Sequence, residues 1–139
     1  MTREEIARRS AERLWADDDA AQAAGISVDL VGPGEASLSM TVGKGMTNGH
    51  GIAHGGFIFL LADTAFAYAC NSYNRRCVAQ HCSITYLKPA QAGSRLIAKA
   101  REVRRAERSG IYDISVSDET GAPIAEFRGV SRTVPGSLF

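Results

Sequence analysis

The stretch FIFLLADTAFAYAC, from Phe57 to Cys70, is apolar on nearly every side of a helical projection, and only Asp63 and Thr64 interrupt it. A helix on a protein surface keeps a polar face toward water; one that lacks it has to be wrapped by other elements. The run is too short to cross a bilayer and carries an acid near its middle, so a central core helix is expected. The rest of the chain must then supply a sheet large enough to curl round one helix. The side that sheet leaves open needs cover from outside, and a second copy of the chain is the simplest source.

The flanking sequence reads as such a sheet. ISVDLVGPGEASLSMTV forms two strands joined at the Gly-Pro-Gly turn of residues 32–34, a hairpin. Beyond the apolar run, VAQHCSITYL, RLIAKAREV, IYDISVSD and IAEFRGVSRTV are rich in β-branched and aromatic residues, with breaks at Lys88-Pro89, Gly93, Ser109-Gly110 and Thr120-Gly121. Ahead of them, residues 2–18 read as an amphipathic helix. Thr2 and Glu5 have capping-box spacing, and Ile6, Ala7, Ser10, Ala11, Leu14 and Trp15 recur at helical intervals until Gly25 stops the pattern. The order of helix, two strands, buried helix and four strands predicts an α+β fold with a mostly antiparallel sheet. With 139 residues and no repeat or linker, one domain is expected.

A formal net charge of +1 gives no global pull toward nucleic acid or an anionic membrane, so neither partner is expected, and anion recognition needs a local cluster of Arg or Lys. Cys70, Cys77 and Cys82 lack the paired spacing of a zinc site or a disulfide framework and fit free thiols in a reducing compartment. The first residues, MTREEIARRSAERLW, carry charge throughout and no apolar h-region, which argues against a signal peptide or anchor and makes the cytoplasm the expected location.

The segment NGHGIAHGGFIFLLADTAFAYACNS resembles the signature of the phenylacetate-degradation thioesterases, the PaaI family of the hot-dog superfamily. SITYLKPAQAG, REVRRAERSGIYDISVSDETG and AEFRGVSRT extend the resemblance over nearly all of the chain from residue 20 onward. It implies a hot-dog fold, a curved, mostly antiparallel sheet wrapped round one long buried helix, here with an added N-terminal helix. It also implies dimers, commonly paired into homotetramers. The implied reaction is hydrolysis of aryl- or acyl-CoA thioesters of the phenylacetyl-CoA or hydroxyphenylacetyl-CoA type, with no metal and no cofactor beyond the coenzyme A of the substrate. A place in phenylacetate degradation follows from the resemblance alone.

Within this frame Asp63 carries the strongest signal, because an ionised carboxylate inside an apolar helix costs several kcal/mol unless something pairs with it or solvates it. It reads as a general base for water or as a nucleophile on the thioester carbonyl; a purely structural carboxylate, bonded to a neighbouring backbone or hydroxyl group, is the alternative. His54-Gly55-Gly56 precedes the helix, where free N–H groups and the positive end of the helix dipole meet a developing oxyanion, and Gly55 is the expected donor. The same glycines serve chain geometry in many proteins. In the matching family position His54 resembles a pocket residue supporting the oxyanion turn, and Asn48 resembles a group that polarises the carbonyl or positions the water; a turn-forming role before Gly49 suits Asn48 equally well. His50 and His54 lie four apart, but the glycines between them disfavour a helix and no third ligand is evident, so no metal is expected.

Coenzyme A needs cations for its phosphates and backbone amides for its pantetheine arm. Thr64, Arg108, Ser109 and Gly110 are the substrate-binding candidates, with Arg104, Arg105 and Lys88 as further cations; an Arg-rich hairpin is also commonly just a solvated turn. Phe66, Tyr68 and Tyr73 suit an acyl pocket or the core. Asp63 lies eight residues beyond Gly55, so along one helix the two are about 12 Å apart, too far to act on one carbonyl. Active sites at a homodimer interface are therefore expected, with Gly55 and His54 from one subunit and Asp63 from the other. Two rivals stand beside the thioesterase: a hot-dog enoyl-CoA hydratase or dehydratase, whose Asp-x-Asn-Pro-x-His signature is absent, and a non-catalytic acyl-CoA-binding protein.

Overall fold

The computed structural model describes all residues, 1–139. Helix α1 (Arg3–Ala16) starts at the predicted capping box: the Thr2 hydroxyl accepts from the Glu5 N–H, and the Glu5 carboxylate accepts from the Thr2 N–H, each at 3.1 Å. It ends earlier than the pattern suggested. Asp18 caps a separate short helix, α2 (Asp19–Ala23), by accepting from the Ala21 N–H, and Gly25 then turns the chain with φ +70. Strands β1 (Ser27–Gly32) and β2 (Glu35–Thr41) form the expected hairpin.

Helix α3 (Gly55–Cys70) follows a looped segment, and strands β3 (Cys77–Tyr86), β4 (Arg95–Ala106), β5 (Ser109–Ser117) and β6 (Pro123–Thr133) complete the chain. The six strands form one sheet in the order β1-β2-β4-β5-β6-β3, with every neighbouring pair antiparallel. The turn between β4 and β5 is Glu107-Arg108, with Glu107 at φ 54; Ser109 and Gly110, read from sequence as a break, belong to β5. Gly110 is there for space, since a Cβ would stand 2.8 Å from the Ser131 hydroxyl and from the Tyr112 ring.

The sheet wraps α3. Ile58, Leu61, Ala62, Ala65, Phe66, Tyr68 and Ala69 are buried against Leu38, Met40, Leu96, Ala98, Ile114, Val116 and Phe127 from the strands. One contact sets how closely helix and sheet approach: a Cβ on Gly129 of β6 would meet three Phe66 ring atoms at 2.8 Å, so only glycine lets the helix lie so near. Phe66 and Tyr68 are thus core residues. Tyr68 donates to Asp18 at 3.1 Å, tying α3 to the start of α2.

Two features leave one side of the chain open. Around α3, Phe59, Leu60, Asp63 and Ala67 are only partly buried, and their spacing of three and four puts them on one stripe. Beside it runs β3, the end strand of the sheet, ten residues long and exposed along most of its length. Val78 is 49%, Tyr86 50% and Leu87 53% exposed, and a strand edge of this length offers a row of unpaired N–H and C=O groups.

Candidate active site

The loop ahead of α3 is built by backbone pairing. A single 3-10 turn (Lys44–Met46) leads to a Thr47–Ala53 bridge, and Ile52 bridges to Gln91. Asn48 closes the loop: its side-chain Oδ1 accepts from the N–H of His50 at 2.9 Å and of Ile52 at 3.4 Å, and its own N–H donates to the Ile52 carbonyl at 2.9 Å. The turn-forming reading of Asn48 is therefore the one observed. The carbonyl end makes the turn, and that fixes the side-chain amide, whose N–H groups remain available to a ligand.

His54 is the N-cap of α3. Its Nδ1 accepts from the Gly56 N–H at 2.8 Å, so the proton of the neutral ring sits on Nε2. With this cap in place Gly55 and Gly56 are already helical, and the helix begins two residues earlier than the apolar run. Replacing His54 by Ala is expected to cost about 1 kcal/mol of stability, seen as a lower midpoint in urea, and His54→Asn to restore most of it.

The Gly55 N–H is left without an acceptor in the chain, while its neighbours are all engaged. The His54 N–H donates to the Met46 carbonyl at 2.7 Å, and the His54 carbonyl accepts from the Phe57 N–H at 3.0 Å. A cavity of about 450 Å³ opens beside it, lined by Asn48, Ile52, Gly55, Ile58, Tyr86 and Lys88 among others. A larger cavity of about 510 Å³ lies between α1 and β1, lined in part by Arg8, Trp15 and Val28. It holds none of the candidate residues, whereas the smaller cavity holds Asn48 and Gly55 and is the candidate site. A free backbone donor at a helix N-terminus beside a half-apolar cleft is the arrangement that stabilises a developing oxyanion.

Asp63 lies outside that cavity, two turns along α3 on the open stripe. Burial alone lifts its carboxyl above the ordinary carboxylate value; no cation or donor of its own chain pulls it back. Its charge acts on Cys82 of β3 and pushes that thiol up, after the burial of the thiol itself. The structural alternative, a carboxylate tied to its own neighbours, is not what is seen. Thr64, one residue on, donates to the Leu60 carbonyl at 2.6 Å and is buried, turned away from the cavity.

The remaining candidates lie elsewhere. Ser109 pairs with Arg132 of β6, and Arg132 pairs with Val78 at the start of β3, whereas Gly55 sits under Tyr86 at its end. The eight residue steps from Val78 to Tyr86 span roughly 26 Å of strand, so Arg108, Ser109 and Gly110 do not share a site with Gly55 of the same chain. Arg105 is held by its own chain, stacked 3.6 Å over the Tyr73 ring with Nε 3.4 Å from Glu102 Oε1. Tyr73 in turn donates to Glu102 at 3.0 Å, which makes it part of this cluster and no acyl pocket wall.

Sequence reading passed over Tyr86 and Ile58. The signal was present in SITYLKPAQAG, where an aromatic residue ends a strand just before Lys88-Pro89, but nothing in the spacing brings that strand end to the first turn of α3.

Residues 50–125 match the thioesterase superfamily. Over 130 residues the chain is 40% identical to the acyl-coenzyme A thioesterase PaaI of Escherichia coli, covering 94% of this chain and 93% of that protein. The structure of the E. coli PaaI protein from the phenylacetic acid degradation operon superposes with a TM-score of 0.96 at 39% identity, over 98% of this chain and 99% of that one. A mutant form of the phenylacetic acid degradation protein PaaI from Thermus thermophilus superposes with a TM-score of 0.81 at 38% identity, over 84% and 100% of the two chains.

Proposed function

Because the chain belongs to the thioesterase superfamily, as a hot-dog-fold thioesterase of the PaaI family, we propose that it hydrolyses acyl-CoA thioesters at sites shared between two subunits. The observation that carries this reading is the unpaired, half-buried Asp63 on the open stripe of α3, about two helical turns from the free Gly55 N–H.

A pair of subunits meeting through the exposed β3 edges satisfies both open features at once. An antiparallel pairing about a two-fold axis extends the sheet and lays the open stripes of the two α3 helices side by side. With the axis level with Phe59, midway between Gly55 and Asp63, the Gly55 of one subunit comes to the height of Asp63 of the partner subunit. The same rotation carries the partner's Cys77 end to this chain's Tyr86 end. The partner's Arg108, Ser109 and Gly110 then approach the end of the molecule where Gly55 lies, in position for the phosphates and pantetheine arm of coenzyme A. A homotetramer of two such dimers is the further assembly we propose.

The reaction uses these groups in order. The thioester oxygen takes the Gly55 N–H, assisted by the Asn48 amide. Asp63 of the partner subunit, made more basic by burial, removes a proton from water as the water oxygen attacks the carbonyl carbon. The tetrahedral intermediate collapses by breaking the C–S bond, releasing the carboxylic acid and the coenzyme A thiolate, a good leaving group because thiols ionise near pH 8.5. His54 acts here by holding the helix start.

The E. coli relative's place in a phenylacetic acid degradation operon supports phenylacetyl-CoA and hydroxyphenylacetyl-CoA as first substrates, and the same pathway for this chain. A cytoplasmic location belongs to the same proposal, supported by three free cysteines; no helix is long and apolar enough to cross a membrane. The deciding experiment is a panel of aromatic and straight-chain acyl-CoA thioesters followed by thiol release. Release of free coenzyme A is expected, fastest with the arylacetyl thioesters. A change in the acyl chain with the thioester intact would instead identify a hydratase.

A further inference from the structure

We infer that Tyr86 is a positioning residue for the reaction, clamping the Gly55–Gly56 peptide so that the Gly55 N–H stands fixed toward the cavity. The inference rests on the thioesterase reading for its chemistry and on the following geometry for its substance.

Tyr86 ends β3, half exposed, and its hydroxyl donates to the Gly55 carbonyl at 2.9 Å. Helical geometry gives that carbonyl one partner of its own, the N–H of residue 59, so the tyrosine uses the second lone pair. At the other end of the same peptide the Gly56 N–H donates to His54 Nδ1 at 2.8 Å. Both polar groups of the peptide are thus gripped by side chains, one from the strand and one from the cap. The ring is fitted as closely as the hydroxyl: a Cβ on Gly55 would stand 2.9 Å from Tyr86 Cζ and from its hydroxyl oxygen, and 3.3 Å from Cε1. As the two stand only a hydrogen fits between them, so a larger residue at 55 would push the Tyr86 ring off this peptide.

This arrangement answers a weakness of the site. Two glycines open α3, and glycine is the residue with the most backbone freedom to lose. Such a turn left to itself would let the Gly55 N–H swing, and a misplacement of about 1 Å in a reacting group can cost on the order of a hundredfold in rate. The Tyr86 clamp removes that freedom with a group that lines the cavity yet has its donor already spent on the backbone. The substrate consequently meets the flat ring of Tyr86 and no free hydroxyl proton from it.

The test is Tyr86→Phe, which keeps the ring and removes the oxygen. With phenylacetyl-CoA as probe, kcat is expected to fall about tenfold, KM to stay within about twofold, and the thermal midpoint to change little, because the loss falls on an aim made only for the transition state. In parallel, ¹⁵N-labelled protein should show the Gly56 amide resonance shifting and its hydrogen exchange accelerating in the variant. An unchanged kcat, or a change in KM alone, would overturn the positioning role. An unchanged Gly56 amide in an enzyme that turns over would overturn the clamp and leave the thioesterase reading standing. A wild type that releases no thiol, while its Gly56 amide still responds to Tyr86→Phe, would sink the thioesterase reading and leave the clamp.

Discussion

Asp63→Asn is expected to abolish thiol release, by about a hundredfold to ten-thousandfold, the range typical of a lost general base, while the variant still binds substrate. A binding protein with no chemistry would keep its affinity and have no turnover to lose, so the comparison separates the two. The same substitution should make the protein more stable at neutral pH. Burial holds the Asp63 carboxyl above its ordinary value of 3.8 in the folded chain. Below 3.8 both folded and unfolded forms are protonated and the group contributes nothing. Between 3.8 and the raised folded value the folded state holds more protons than the unfolded one, so stability falls as pH rises, and above that value the full cost of the buried charge remains. Urea unfolding of both proteins from about pH 3 to pH 8 should show the advantage of the Asn variant growing through that window and then levelling off. The activity of the wild type should run the opposite way, losing kcat as the pH drops through the raised value. An Asn variant that unfolds more readily than wild type at pH 7 would mean that the carboxylate is paired in the assembled protein, and the base would have to be sought elsewhere.

The second large effect is complementation between dead subunits. Homodimers of Asp63→Asn and of Gly55→Val should each keep roughly 1% of wild-type activity or less, the first lacking the base and the second driving a side chain into Tyr86 and displacing the oxyanion donor. Mixed dimers of the two should recover about half of the activity of the wild-type dimer, because a shared site sorts the lesions: one site receives both and the other receives neither. If each subunit carried a complete site, every site in the mixed dimer would hold one lesion and nothing would return. Verified heterodimers that stay inactive would therefore remove the case for a shared site, whatever the single variants do. Gly55 and Asp63 share one rigid helix, and about 12 Å along its axis cannot be closed by side-chain motion.

Much of the fold was legible because it follows from local periodicity. The capping box at Thr2 and Glu5, the hairpin at residues 32–34 and the four strands after Cys70 occur where composition and turn residues put them, since each is decided by neighbours within a few positions. Less legible were the helix limits and the β4–β5 hairpin. The start of α3 at Gly55 depends on His54 acting as a cap through a ring nitrogen, a role its type does not advertise. The Glu107-Arg108 turn depends on a non-glycine residue accepting positive φ, which frees Ser109 and Gly110 for the strand.

By itself the sequence determined that an apolar helix with an acid on it would be wrapped by an antiparallel sheet, and that Gly55 and Asp63 of one subunit would stand about 12 Å apart along one rod. Those conclusions need only helical rise and the cost of burying charge. Which residues share a cavity was decided by the tertiary structure alone. Strand order brings Tyr86 over Gly55 and sends Arg108 to the far end of the sheet, and that order is set by which hydrophobic faces pack together across the whole chain. No stretch of sequence carries that information, because pairing between β3 and β6 joins residues some fifty positions apart through interactions that exist only once the core has formed.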